Sequence, residues 1–240
     1  SHLKPDKRMS LMLDGKSTRV RSGGMPAVVA KIKELESTSN NVIKLHAGDA
    51  ISGSLFFTLF KGEADAALMN EICFDAFVLG NHEFNEGDKG VAKFIDFLKS
   101  EKCSTSVLAA NIKPEVGVSA LTPNSETDYI QPYSIIEKGG MKVGIIGIDI
   151  VRKTIMSSSP DETTKFLDEA ETSQKIVNEL KKSGVKHIIL LTHYGYENEL
   201  ELAATIEGVD VIIGGDSHTL LGDFDKLGLN AAGPYPTIVK

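Results

Sequence analysis

The chain has 240 residues, 41% of them hydrophobic and 25% charged, which is enough apolar material for one sizeable core and marks an ordinary globular protein. Its formal net charge of -7, with no basic run to offset it, argues against a nucleic-acid polymer or an anionic membrane surface as partner. A small anionic substrate stays open if bound metal supplies positive charge locally, and no apolar run approaches the ~20 residues of a membrane span.

Residues 1–22 read as polar and irregular, with a turn at Asp14-Gly15. Val28, Val29, Ile32 and Leu35 recur at helical spacing and predict a helix over 25–37. A strand over 41–46 runs into Ala47-Gly48-Asp49, and a helix over 63–72 precedes a strand over 76–79. That strand stops at Gly80-Asn81-His82-Glu83-Phe84-Asn85. A strand core favours β-branched and aromatic residues, so a carboxamide and an imidazole mark its end. Gly80 lets the chain turn sharply and lets another backbone or a ligand come close.

Val91, Phe94, Ile95, Phe97 and Leu98 predict an amphipathic helix over 89–99, followed by a strand over 106–110 that ends at Asn111. Residues 113–128 read as a long surface loop. Two strands around Gly139-Gly140, over 133–137 and 142–148, read as a β-hairpin. One long helix is expected over 163–182, with Phe166, Leu167, Ala170, Ile176, Val177 and Leu180 inward. A strand over 186–191 runs into Thr192-His193, a short helix covers 197–206, and a strand over 209–213 runs into Gly214-Gly215-Asp216-Ser217-His218. The tail is irregular. Cys73 and Cys103 show neither CxxC spacing nor a disulfide-scaffold density; they could pair only if the fold brings them together, and two buried free thiols are the expectation.

Strands alternating with helices predict an α/β sandwich whose strand ends collect along one rim. In open α/β sheets, functional groups gather beyond the carboxyl ends of the strands. Five apolar strands here end in Asp49, Asn81-His82, Asn111, His193 and Asp216-Ser217-His218. Singly, each has an ordinary structural reading: a turn aspartate, a hydrogen-bonded core histidine, a helix cap. Together they form a nitrogen and oxygen donor set suited to Zn²⁺, Mn²⁺ or Fe, without the thiolates of a structural zinc site. A carboxylate such as Asp49 can bridge two cations in the clamp used for phosphate ester hydrolysis. His46 and His187 lie inside strands without polar company and read as structural.

From Gly80-Asn81-His82-Glu83-Phe84 the sequence resembles the 5'-nucleotidase family of calcineurin-like metallophosphoesterases. Ala47-Gly48-Asp49, Thr192-His193-Tyr194-Gly195 and Gly214-Gly215-Asp216-Ser217-His218-Thr219 agree in order, and the resemblance spans nearly the whole chain. It implies a four-layer α/β/β/α metallophosphoesterase sandwich, two divalent metal ions (Zn, Mn or similar), and a nucleotide or nucleotide-derived small-molecule substrate. It further implies that Asp49 bridges the metals, that Asn81, His193 and Asp216 complete one site, and that His218 serves the other. Asn81, His82 and Asn111 would contact substrate. His82, paired with Asn85, would hydrogen-bond a phosphoryl oxygen and stabilise the departing charge, while water activated by the cations attacks phosphorus in line. Many members are periplasmic, secreted or surface-anchored, and some also cleave dinucleotides or UDP-sugars.

Three features depart from the family pattern. The first strand with its Asp-x-His is not found, so metal one would keep only Asp49 and His218, with His2 a poor substitute. Asn85 stands where an acidic partner of the catalytic histidine is common, its amide oxygen expected to accept the imidazole N–H. Asp216 stands where many members have histidine, making the site harder and more anionic. A C-terminal substrate-binding domain, part of the family pattern, is expected beyond residue 240. The reading is thus the catalytic domain of a metal-dependent 5'-nucleotidase. Its rivals are a non-catalytic metal-binding fragment, and a 2',3'-cyclic nucleotide phosphodiesterase or sulfur-ester hydrolase on the same scaffold.

Overall fold

The computed structural model describes residues 3–239. His2, considered above as a substitute ligand, lies outside them. In chain order the elements are β1 (Ser10–Leu13), β2 (Lys16–Arg19), α1 (Met25–Thr38), β3 (Leu45–His46), α2 (Leu55–Phe60), α3 (Glu63–Ile72) and β4 (Ala76–Val78). After a 3-10 turn over Asn81–Glu86 come α4 (Gly87–Leu98), β5 (Ser106–Leu108), β6 (Ile112–Pro114), β7 (Tyr133–Lys138), β8 (Met141–Asp149) and α5 (Val151–Ser157). The chain then continues through β9 (Thr164–Phe166), α6 (Glu169–Lys182), β10 (His187–His193), α7 (Tyr196–Thr205) and β11 (Val211–Ile213).

Two sheets carry the architecture. One has the order β3-β4-β5, all parallel. The other has the order β11-β10-β8-β7, with β11, β10 and β8 parallel and β7 antiparallel at the edge. Strand side chains alternate between faces with a period of two, and this alternation sorts the core into three slabs. Phe77 packs outward with Met69, Ile72, Phe94 and Ile95 of α3 and α4, whereas its neighbours Ala76 and Val78 face the second sheet. Val143 and Ile145 of β8 meet them there with Leu108 and Leu191, while Ile146, Ile148, Ile188 and Leu190 lie in a cluster with Ile176, Val177 and Leu180 of α6. Helix, sheet, sheet, helix is the resulting order of layers, as the resemblance implies. The sheets come close at Gly147, where an added Cβ would stand 2.4 Å from the Cβ of Leu108.

Several expectations need correction. Residues 1–22 contain the hairpin β1-β2, turned at Asp14-Gly15, with both residues in the left-handed region. The long helix over 163–182 is instead β9 followed by α6: a Thr-Lys-Phe run favours a strand that pairs with β6, and Asp168 caps the helix by accepting from the Glu171 N–H at 2.8 Å. Leu167, expected inward, is exposed. Of the four α1 positions expected inward, Val29 and Ile32 pack on the core, joined by Met25, whereas Val28 and Leu35 face solvent. The strand expected over 41–46 shortens to β3, and α2 and α5 were not anticipated. Cys73 and Cys103 are not free thiols: they form a disulfide, their Cα atoms 5.3 Å apart. Packing of α3 beside α4 brings together two positions that sequence spacing alone leaves unrelated. The hairpin β7-β8 forms around Gly139-Gly140, both at positive φ as a two-residue turn requires.

Candidate metal centre

The parallel strands all leave their sheets at the same rim, and polar residues follow each exit. After β3, Gly48 and Asp49 have φ of 86° and 56°. A left-handed non-glycine residue costs on the order of 1 kcal/mol, and the surroundings hold it in place. The buried Glu83 carboxylate accepts from the backbone N–H of Asp49 at 2.9 Å, Ala50 at 2.8 Å, Ile51 at 3.3 Å and Gly80 at 2.7 Å. One carboxylate thus knits the ends of β3 and β4 together. Burial pushes its pKa up and the Asp49 charge adds to this, while the backbone donors pull the other way.

His193, at the tip of β10, is buried. Its Nδ1 lies 2.7 Å from the carbonyl oxygen of Ala47 and donates to it, which turns Nε2 inward. Nε2 is 3.2 Å from Asp49 Oδ2 and 3.5 Å from Asp216 Oδ1, with the alignment of an ion pair rather than of a hydrogen bond. Burial opposes charge on this imidazole, yet the two carboxylates outweigh it and lift its pKa to about 10. Burial likewise opposes charge on Asp216, but His193 and Lys153 hold its pKa at about 2. Asp49, His193 and Asp216 each place one ligand atom within 4.8 Å of the others.

Asn81 completes the case for a cation. It is fully buried, and neither Oδ1 nor Nδ2 has a protein partner. Leaving such a group unpaired costs about 1–3 kcal/mol. It directly follows Gly80, where an added Cβ would stand 2.6 Å from Asp49 Oδ1 and 2.9 Å from His193 Cδ2. Two converging carboxylates, an inward imidazole nitrogen and an orphaned amide fit a divalent cation taking nitrogen and oxygen ligands.

His82 stands beside this cluster, and its backbone N–H donates to Asp49 Oδ1 at 3.0 Å. Asn85 Nδ2 lies 3.0 Å from His82 Nδ1 and 2.7 Å from Ser52 Oγ, while Asn85 Oδ1 accepts from Ser158 Oγ at 3.0 Å. The amide therefore turns its NH₂ to the ring, opposite to the orientation expected from sequence. The ring proton is thereby placed on Nε2.

The other predicted residues fall as follows. Asn111 is buried, donates to the Asp149 carbonyl at 2.8 Å and accepts from the Asp149 N–H at 3.0 Å, so its amide clasps the end of β8. His218 is exposed, with φ of 53°, and is not part of the Asp49–His193–Asp216 cluster. His46 packs edge-on against Phe74 and Phe77, both ring centroids 5.2 Å away, and burial pushes its pKa down to about 4. His187 is exposed at the start of β10.

Sequence reasoning missed Glu83, Asp149 and Lys153. Asp149 lies opposite His193 in the β8–β10 register, accepts from Thr154 Oγ1 at 2.6 Å, and is pushed by burial to a pKa of about 7. It ends an apolar strand like the other rim residues, so the same rule could have found it. Glu83 sits three residues after Gly80, the spacing of a side chain that reaches back to cap its own turn. Lys153 carries no comparable signal.

Comparison with known proteins identifies the family and the fold. A family profile described as calcineurin-like phosphoesterase matches residues 2–220. The chain is 42% identical over 238 residues to a probable 5'-nucleotidase of Treponema pallidum, covering 98% of this chain and 38% of that protein. It is 44% identical over 223 residues to the NAD 5'-nucleotidase of Haemophilus influenzae, covering 93% and 35%. The solved NAD nucleotidase from H. influenzae superposes with a TM-score of 0.90 at 43% identity, over 99% of this chain and 45% of that one. A 5'-nucleotidase precursor from Thermus thermophilus superposes with a TM-score of 0.86 at 38% identity, over 100% and 44%. The chain thus spans less than half the length of these relatives.

Proposed function

The chain belongs to the calcineurin-like phosphoesterase family, and from that footing we propose that it carries the catalytic centre of a metal-dependent 5'-nucleotidase acting on nucleotide phosphate monoesters. The observation that carries this reading is the convergence of Asp49, His193 and Asp216 beside the unpartnered amide of Asn81. These four would hold one divalent cation, and Asp49 with His218 would serve a second. Divalent cations in such a site supply Lewis acidity toward a phosphoryl oxygen and a water of lowered pKa.

The residues of the chain do the rest. Glu83 holds the loop after β3 so that the Asp49 carboxylate faces His193. His82, its Nδ1 taken by Asn85, has Nε2–H available to donate to a phosphoryl oxygen and to stabilise charge on the leaving oxygen. Asn81 would accept both tasks of an amide, ligating through Oδ1 and donating to phosphate through Nδ2. Asn111 would contribute to substrate binding by holding the end of β8 where phosphate arrives.

Cleavage of dinucleotides is a natural extension, supported by the name of the Haemophilus relative. UDP-sugar cleavage would draw on the same chemistry, and base recognition is assigned to a C-terminal domain. We also infer a periplasmic, secreted or cell-surface setting. The Cys73–Cys103 disulfide supports an oxidising compartment, and among the described residues no helix is long and apolar enough to cross a membrane.

The test is phosphate release from AMP with Mn²⁺ or Zn²⁺, repeated with Asp49→Asn and His82→Ala. Loss of roughly 100-fold or more in each variant is expected. Equal release by all three proteins would remove the catalytic assignment.

A further inference from the structure

Lys153, on the first turn of α5, is the one basic side chain among the described residues in a short ion pair with the metal cluster. Its Nζ contacts Asp216 Oδ1, the same oxygen that faces His193 Nε2. The Asp216 side chain is only 12% exposed, whereas that of Lys153 is 42% exposed. The helix bearing it is pinned at the rim: Thr154 Oγ1 donates to Asp149 Oδ2 at 2.6 Å, and the Val151 N–H donates to Glu169 Oε1 at 2.9 Å. The backbone of Lys153 is therefore fixed while its ammonium group can leave. A cleft of about 680 Å³, lined by Arg152, Lys153, Tyr194 and Asn198 among others, lies beside it and can receive the displaced side chain.

Resting on the reading of this cluster as a metal site, we propose that Lys153 is its resident counter-ion. The ammonium holds Asp216 in its ligating position while no metal is bound, and it surrenders Oδ1 when a divalent cation arrives. Metal and lysine compete for one carboxylate oxygen, so Lys153 lowers metal affinity while stabilising the metal-free chain. The pairing suits an aspartate at this position, because its extra negative charge needs a partner when no metal is bound. Lys153 is a positioning residue, acting through Asp216.

Mn²⁺ affinity of the chain, measured by calorimetry without substrate for the wild type, Lys153→Met, Lys153→Gln and Lys153→Arg, tests this directly. Removing the ammonium in the Met and Gln variants is expected to tighten Mn²⁺ binding about threefold to tenfold. The same variants should melt earlier without metal and gain more in Tm on adding Mn²⁺, while the Arg variant stays near wild type. A merely structural lysine would lower Tm in both states. Unchanged or weaker Mn²⁺ binding in both neutral variants would overturn the counter-ion role and leave the metal site standing. No Mn²⁺ binding by the wild type would overturn both.

Discussion

His193 donates its Nδ1–H to the carbonyl oxygen of Ala47 across 2.7 Å, so the tip of β10 is oriented by the peptide that leads into Gly48-Asp49. This contact aims Nε2 at Asp49 and Asp216. Without a cation, burial disfavours a charged imidazole but the two carboxylates prevail, and the pKa stands at about 10. A ligating imidazole must give up that proton. Cation binding near pH 8 is therefore expected to release about one proton per ion, and affinity should rise as the pH climbs toward 10. Calorimetry in buffers of different ionisation enthalpy counts the proton. A count of zero would mean that His193 does not ligate.

Gly80 has ordinary backbone angles, φ -112°, so its role is space rather than conformation. A Cβ there would stand 2.6 Å from Asp49 Oδ1 and 2.7 Å from the Asp49 nitrogen. Gly80→Ala should cost about 1–3 kcal/mol of stability by overpacking. It should also abolish tight metal binding, because Asp49 must move. Denaturant unfolding and metal titration on the same sample check both halves; normal binding in the variant would show that Asp49 tolerates displacement.

Asp149 links stability to pH. Burial raises its folded pKa from 3.8 to about 7. The neutral acid is the form the fold favours, so its contribution is fully present below about pH 4 and is lost as pH rises to about 7. In EDTA, the wild type should lose on the order of 3 kcal/mol more across that window than Asp149→Asn does. Parallel pH profiles for the two proteins would contradict the assignment.

The Cys73–Cys103 disulfide closes a loop with a sequence separation of 30. Constraining the unfolded chain over such a loop contributes about 3–4 kcal/mol. Reduction, or Cys73→Ser with Cys103→Ser, should lower the unfolding free energy by that order while leaving metal affinity unchanged, since neither cysteine touches the rim. A loss of metal binding on reduction would reveal coupling between α3 and the site.

The rim was legible because parallel strands must all end on the same side, and each exit shows an abrupt change from Ile, Val and Leu to Asp, Asn or His. That logic located Asp49, Asn81, His82, His193 and Asp216, and could have located Asp149. Glu83 was harder, because its work is done on backbone N–H groups whose positions depend on two loops at once. Lys153 and the disulfide were beyond reach for a shared reason. A charged residue on an exposed helix looks like any solvated lysine, and two cysteines thirty positions apart look unrelated, until tertiary packing brings their partners near. The single helix expected over 163–182 failed for a local reason: Thr164, Lys165 and Phe166 pair with β6, and the helix starts only at its Asp168 cap.

Anomalous diffraction at the manganese edge from crystals soaked in Mn²⁺ tests the central claim most directly. A strong peak is expected among Asp49, Asn81, His193 and Asp216, with the Lys153 ammonium withdrawn from Asp216. A map without a peak there, under conditions where the protein releases phosphate from AMP, would contradict the assignment of these residues as its metal centre.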